Sequence, residues 1–278
     1  MKVAFFSNAA GRGAVTSNLA CIAVMGALCH KRRMVLFENH YNINSLEHAF
    51  FQGEVMPSVR EKEGYLCEEG LDGIMRGLHS GFMRPSMVRD SVMSVMKRQL
   101  YFLPGSHIMD GAFFSHEFGR VMKPLFLMLE DFCENVFIDT GGANNESTGM
   151  ILEEADLVVA NISQDPSGIQ DFFWKHGNLL DKTVFLIGGY QKESRYNLGN
   201  LVRRYPIHRK NIGVIPYNVE LHDAIQEGRL VSFLTRNYRK ERSETHGYFM
   251  EELKKASALI FQAVDDRKAG EKRIVESA

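Results

Sequence analysis

Short, unbroken apolar runs recur along the chain, each followed by a longer stretch in which apolar residues return every three or four positions. The runs are Val3–Phe6, Met34–Phe37, Leu100–Leu103, Val136–Ile138, Leu157–Ala160, Val184–Ile187 and Ile212–Ile215. Continuous rather than alternating apolar residues suit strands covered on both faces, as in a parallel sheet. The stretches between them predict helices over about 16–30, 85–98, 113–132, 147–154, 167–178, 194–204, 219–227 and 248–263. Strand and helix in alternation define βαβ units. The expected fold is therefore α/β: one doubly wound, mostly parallel sheet of about seven strands with helices on both faces. Pro124 falls inside a helical stretch and is expected to kink or divide it, because its ring removes an N–H and crowds the preceding turn.

The glycine-rich stretch 53–84 is weakly periodic and reads as an irregular insertion over the sheet. No linker rich in Pro, Gly or Ser breaks the alternation, and no internal repeat is visible, so residues 1–265 read as a single domain. After Asp265 the chain is charged and loses its apolar stripe. Residues 266–278 are expected to form a flexible tail.

Composition narrows the class without changing the fold. The 278 residues are 45% hydrophobic and 24% charged, as in ordinary globular chains. Lys and Arg number 33 against 34 Asp and Glu, so the clear basic excess of a dedicated nucleic-acid binder is missing. The basic clusters His30–Arg33, Arg203–Arg204 with His208–Lys210, and Arg236 with Arg239–Lys240 read as solvated faces. Apolar runs such as Leu125–Leu129 fall far short of the roughly 20 residues of a membrane span. The first apolar run leads into a glycine turn rather than a signal segment. A cytoplasmic protein is expected, with any membrane contact passing through partners. Cys21, Cys29, Cys67 and Cys133 show neither a C-x-x-C pair nor zinc spacing, and are expected to be reduced.

Candidate chemistry gathers at the strand ends. The first strand runs through Ser7-Asn8-Ala9-Ala10-Gly11-Arg12-Gly13-Ala14-Val15-Thr16-Ser17-Asn18 into an apolar helix. Strand, glycine turn and helix N-terminus together present backbone N–H groups to a phosphate. A nucleotide loop also needs a Lys for the phosphates and a Ser or Thr for Mg²⁺. This segment has no Lys, and Arg12 is its one cation. The second strand ends in Glu38-Asn39-His40, and the fourth in Asp139-Thr140-Gly141-Gly142. The last strand reads Ile212-Gly213-Val214-Ile215-Pro216-Tyr217-Asn218, followed by Asp223-Ala224 and Glu227-Gly228-Arg229. No G-x-S-x-G elbow supports serine hydrolysis, and no His pair recurs at the i, i+4 spacing of a helical zinc site. The stripe Phe249, Leu253, Ala256, Ile260, Phe261 reads as a helix docked on the core.

In order and spacing these pieces resemble the ParA/MinD-like P-loop ATPases, from Met1 to about Ala263. That family's loop reads K-G-G-x-G-K-T-T, and two alignments fit. One sets Gly11 and Gly13 on the second and third glycines, with Ala9 at the signature Lys and Ala14 at the Walker Lys. The other shifts by one, with Val15 at the Walker Lys and Thr16 at the Mg²⁺ hydroxyl. Both lysines are absent in either frame. The family's D-x-D element maps onto Glu38 and His40, and its Walker B element onto Val136–Gly142, with Asp139 beside the metal. The I-G-x-I-P-Y-D segment maps onto Ile212–Asn218.

The resemblance implies ATP or ADP with Mg²⁺ as ligand. Gly11, Arg12, Gly13, Ala14, Val15, Thr16 and Ser17 would surround the phosphates, Pro216, Tyr217 and Asn218 the base, and Asp139 and Thr16 the metal. It also implies a homodimer. Within the family the chain looks closest to the TadZ/CpaE-type members of Flp/Tad pilus and secretion clusters, whose partners are proteins of that assembly. Phosphoryl transfer depends on positioning and charge stabilisation, so losing both lysines implies weak or lost hydrolysis. The expectation is a pseudo-ATPase that acts as a spatial organiser or assembly factor. Two alternatives stay open. One is a weakly active ATPase of the same fold, with Arg12 or a partner's residue supplying charge. The other is an α/β domain whose glycine turn binds another phosphate ligand, or nothing.

Overall fold

A computed structural model describes residues 1–9, 11–40, 45–51, 70–82, 84, 86–108, 110–141, 145–240 and 244–276, with side chains described through residue 270. Among the described residues eight strands form one sheet: β1 (Lys2–Phe6), β2 (Met34–Glu38), β3 (Met93–Met96), β4 (Leu100–Leu103), β5 (Asn135–Asp139), β6 (Leu157–Ile162), β7 (Thr183–Tyr190) and β8 (Ile212–Pro216). Their order is β3-β4-β2-β5-β1-β6-β7-β8. The pairings are parallel from β4 to β8, and β3 adds an antiparallel edge to β4.

The helices are α1 (Val15–His30), α2 (Leu46–Phe50), α3 (Gly70–Ser80), α4 (Met87–Ser91), α5 (Gly111–Phe132), α6 (Glu146–Glu154), α7 (Pro166–Lys175), α8 (Leu198–Arg204), α9 (Val219–Gln226), α10 (Leu230–Asn237) and α11 (Gly247–Glu276). Successive strand residues point to opposite faces, and the core divides accordingly. Val3, Phe5, Leu36 and Phe137 pack under α1, α2, α9, α10 and α11. Ala4, Phe6, Phe37 and Ile138 pack under α3 to α8. Gly26 of α1 lies so close to Phe261 of α11 that an added Cβ would stand 2.4 Å from the ring, and Phe261 stacks on Phe137 at 5.9 Å between centroids.

The structure departs from the sequence pattern in five places. The expected helix over 85–98 is instead α4 followed by β3, because the segment turns sharply at Lys97–Gln99, where Arg98 takes φ +66°. An edge strand half open to solvent carries no unbroken apolar run, which hides it from the pattern. Helix α5 runs unbroken through Pro124. The carbonyl deprived of its partner there belongs to Arg120, an exposed residue on the outer side of the helix. Part of the stretch read as an insertion, 70–80, is the amphipathic helix α3, and 52–69 lie outside the described residues. Helix α10 had no counterpart in the pattern. Helix α11 continues past Asp265 to Glu276, with Asp265 paired to Arg32 at 2.6 Å.

The chain leaves β1 for β2 through α1 on one face and reaches β6 from β5 through α6 on the other. The carboxyl end of β1 is thus a point where the winding reverses, the usual place for a ligand crevice in such sheets. No described helix is long and apolar enough to cross a membrane.

Candidate functional site

The turn after β1 is held on three sides. Ser7 N donates to Gly141 O at 3.2 Å, and Arg12 N to Ala9 O at 3.1 Å. Gly11 has φ +71°, a left-handed turn that favours glycine. At Gly13 an added Cβ would stand 2.5 Å from Ser7 Oγ and 2.8 Å from the Asn161 carbonyl oxygen, so no larger residue fits. Beneath the turn, Asn18 Nδ2 donates to Gly13 O at 3.1 Å and to Asn161 Oδ1 at 2.8 Å. Asn161 Nδ2 donates in turn to Val159 O at 2.9 Å. The end of β7 closes over the same place, with Gly188 against Asn18 and Ala14.

The side chains of the turn are short of charge. Ala14 sits at φ +50° just before α1 and Val15 is buried. Thr16 and Ser17 lie half-buried on the first turn of α1. Arg12 is 72% exposed and pairs with Asp165 at 3.6 Å. The Asp165 carboxyl lies below its ordinary range, chiefly because the Ser167 hydroxyl and N–H both donate to it, with Arg12 adding to the effect.

A second cluster forms at the adjoining strand ends. In the β2·β5 ladder Glu38 stands opposite Asp139, so two acidic residues share one level on strands about 4.8 Å apart. His40, two residues beyond Glu38, brings Nε2 to 3.2 Å from Asp139 Oδ2 and 3.8 Å from Glu38 Oε1. All three side chains are buried, at 7%, 2% and 0% exposure for Glu38, His40 and Asp139. Backbone donors orient the acids: Gly141 N bonds Asp139 Oδ1 at 2.7 Å, and Leu46 N bonds Glu38 Oε1. Burial pushes the Glu38 carboxyl up to about 8, the Asp139 charge raising it further and His40 opposing. Burial alone would lower His40; its hydrogen bond and charge contact with Asp139, and then the Glu38 charge, outweigh this and raise it. Asn39, between the two, donates to Ser147 Oγ at 3.1 Å and Thr148 Oγ1 at 3.3 Å, tying the β2 end to α6.

The structure therefore brings Glu38, His40 and Asp139 together. Among the described residues no hydrogen bond joins Thr16 or Ser17 to Asp139. Pro216 ends β8, Tyr217 is 59% exposed, and Asn218 caps α9 by accepting from Leu221 N at 2.8 Å. Gly142 lies outside the described residues. Asn18 and Asn161, which build the floor of the turn, were not marked by the sequence reading. The available signal was an amide interrupting an apolar strand, since buried polar groups need partners.

By overall shape the chain resembles a ParA family ATPase from Chlorobium tepidum TLS, with a TM-score of 0.66 over 92% of this chain and 97% of that one, at 11% identity. The septum site-determining protein MinD from Pyrococcus horikoshii OT3, solved with Mg-ADP, gives 0.64 over 96% and 98%, at 13% identity. MinD from Aquifex aeolicus in its complex with MinC gives 0.64 over 94% and 96%, at 13% identity. No family profile and no curated protein matches the chain by sequence. The fold is that of a P-loop NTPase. More narrowly, it is a ParA/MinD-like fold.

Identities this low carry architecture and leave the chemistry to the residues present. The glycine turn retains a backbone able to present N–H groups. The residues that the sequence reading sets at the Walker Lys are Ala14 and the buried Val15, and the turn's one cation is paired with Asp165. Asp139 is engaged by an imidazole. This donor set does not fit a Mg²⁺–triphosphate hydrolytic centre.

Proposed function

We infer that this chain is a ParA/MinD-like pseudo-ATPase that works as a spatial organiser or assembly factor, through self-association and partner binding. One observation carries the reading: a ParA/MinD-like fold whose phosphate-type turn contains no lysine. Removing the preorganised cations removes several kcal/mol of stabilisation from a transferring phosphoryl group. What the turn retains is recognition. Its backbone N–H groups, with Thr16 or Ser17, would hold ATP or ADP by the phosphates without turning it over. The protein partners are those of a Flp/Tad-type pilus or secretion assembly, and the site of action is the cytoplasm, with membrane contact only through those partners. The MinC complex of MinD supports partner binding on this scaffold.

The test is nucleotide binding and steady-state hydrolysis with Mg²⁺, alone and with proteins of such an assembly. Binding without turnover is expected. Turnover well above background that disappears in Asp139→Ala overturns the pseudo-enzyme reading, and absence of binding at millimolar nucleotide overturns the nucleotide reading. Light scattering with and without ATP tests self-association. A fluorescent fusion that stays diffuse in its native host counts against a positioning role.

A further inference from the structure

The geometry points to a divalent transition-metal site built by Glu38, His40 and Asp139 at the carboxyl ends of β2 and β5. Zinc-class ions take nitrogen and oxygen donors at about 2.0–2.2 Å. Two donors on one such ion, at tetrahedral or octahedral angles, lie about 3.0–3.4 Å from each other. His40 Nε2 is already 3.2 Å from Asp139 Oδ2 and 3.8 Å from Glu38 Oε1, and the three donor atoms all lie within 4.8 Å of one another. The His40–Asp139 side already fits an ion, the Glu38–His40 side must shorten by about 0.4 Å, and the two carboxylate oxygens, within 4.8 Å of one another, by up to about 1.4 Å.

A second observation points to a ligand there. The Asp139 side chain is fully buried, its Oδ1 is satisfied by Gly141 N, and its Oδ2, 3.2 Å from His40 Nε2, meets no other hydrogen-bond donor among the described residues. A buried carboxylate is costly unless a cation meets it, and here the His40 imidazole, when protonated, or a metal ion held by both fills that role. The remaining features are those of a prepared site. Gly141 N and Leu46 N orient the two acids from behind, as outer hydrogen bonds do for metal ligands. The imidazole selects the metal. Mg²⁺ and Ca²⁺ take oxygen donors, whereas one imidazole with two carboxylates suits Zn²⁺, Mn²⁺ or Fe²⁺. Three protein donors leave coordination positions for water or a ligand. The site needs no nucleotide, so it stands apart from the pseudo-ATPase reading.

The experiment titrates Zn²⁺ and Mn²⁺ into chelator-treated, nucleotide-free protein, by calorimetry and thermal melting. One ion per chain and a raised Tm are expected. Loss of even an outer-shell partner typically weakens metal binding 10–100-fold, so His40→Ala and Glu38→Gln should each weaken it at least about 100-fold. Pulsed EPR of the Mn²⁺ form should show coupling to a single imidazole nitrogen, and this readout needs only the wild-type chain. Absence of one-to-one binding overturns the site. So does affinity unchanged in both variants, or a bound Mn²⁺ without nitrogen coupling.

Discussion

Asn18 Nδ2 lies 2.8 Å from Asn161 Oδ1, joining the first turn of α1 to β6 directly beneath the glycine turn. The same amide holds Gly13 O. Asn18→Ala strips both acceptors of their donor inside the protein and should cost about 1–3 kcal/mol. A cycle of Asn18→Ala, Asn161→Ala and the double variant, followed by urea unfolding, should show a coupling of about 0.5–3 kcal/mol. Strict additivity would mean that the two amides do not act as a unit.

Gly13 and Gly149 should respond to alanine in opposite directions. At Gly13 the new Cβ meets Ser7 and the Asn161 backbone, so the turn must move, at about 1–3 kcal/mol. At Gly149, inside α6, it meets nothing within 4 Å. Helix propensity then favours alanine by about 0.8–1 kcal/mol. Thermal melting of the two variants side by side checks the contrast.

The buried acid at the end of β2 makes stability depend on pH with a definite sign. Unfolded, Glu38 ionises near its ordinary value of 4.5; folded, burial holds the proton until about 8. Between these values the folded state binds the extra proton, so the contribution of Glu38 to stability falls as pH rises. The limiting slope is about 1.4 kcal/mol per pH unit for one proton. His40, also raised, acts in the same direction above its ordinary value of 6.5. Urea melts in the presence of a chelator should therefore weaken across this window, and Glu38→Gln should flatten the decline.

The described cysteines should differ in reactivity. Cys21 is buried, and burial pushes its thiol to about 12, while Cys29 is exposed at the end of α1. The thiolate is the reactive form. Alkylation of the native protein followed by peptide mapping should label Cys29 and spare Cys21 until the chain unfolds.

The seven buried parallel strands were legible because a strand covered on both faces must be apolar at every position, and Val3–Phe6 and Leu157–Ala160 are. β3 was not, because Ser94 faces solvent while Met93 and Val95 are only half covered. α10 also escaped, although Leu230, Phe233 and Leu234 bury one face of it. Glu38, His40 and Asp139 could each be marked as polar residues at a strand end. That they meet depends on β2 lying beside β5 in a register setting Glu38 opposite Asp139, a relation between segments far apart in the chain. The Asn18–Asn161 contact has the same origin. Strand neighbours and register come from tertiary packing, and local pattern does not contain them.

Glu38 is fastened by Leu46 N to the first residue of α2, and α2 leans on α9 and α10. Helix α9 begins beside exposed Tyr217 and Val219. A buried acid is thus tethered to the outer surface through one hydrogen bond and one short helix. The buried cluster and the exposed start of α9 are therefore only two contacts apart, Leu46 N on Glu38 and the packing of α2 on α9.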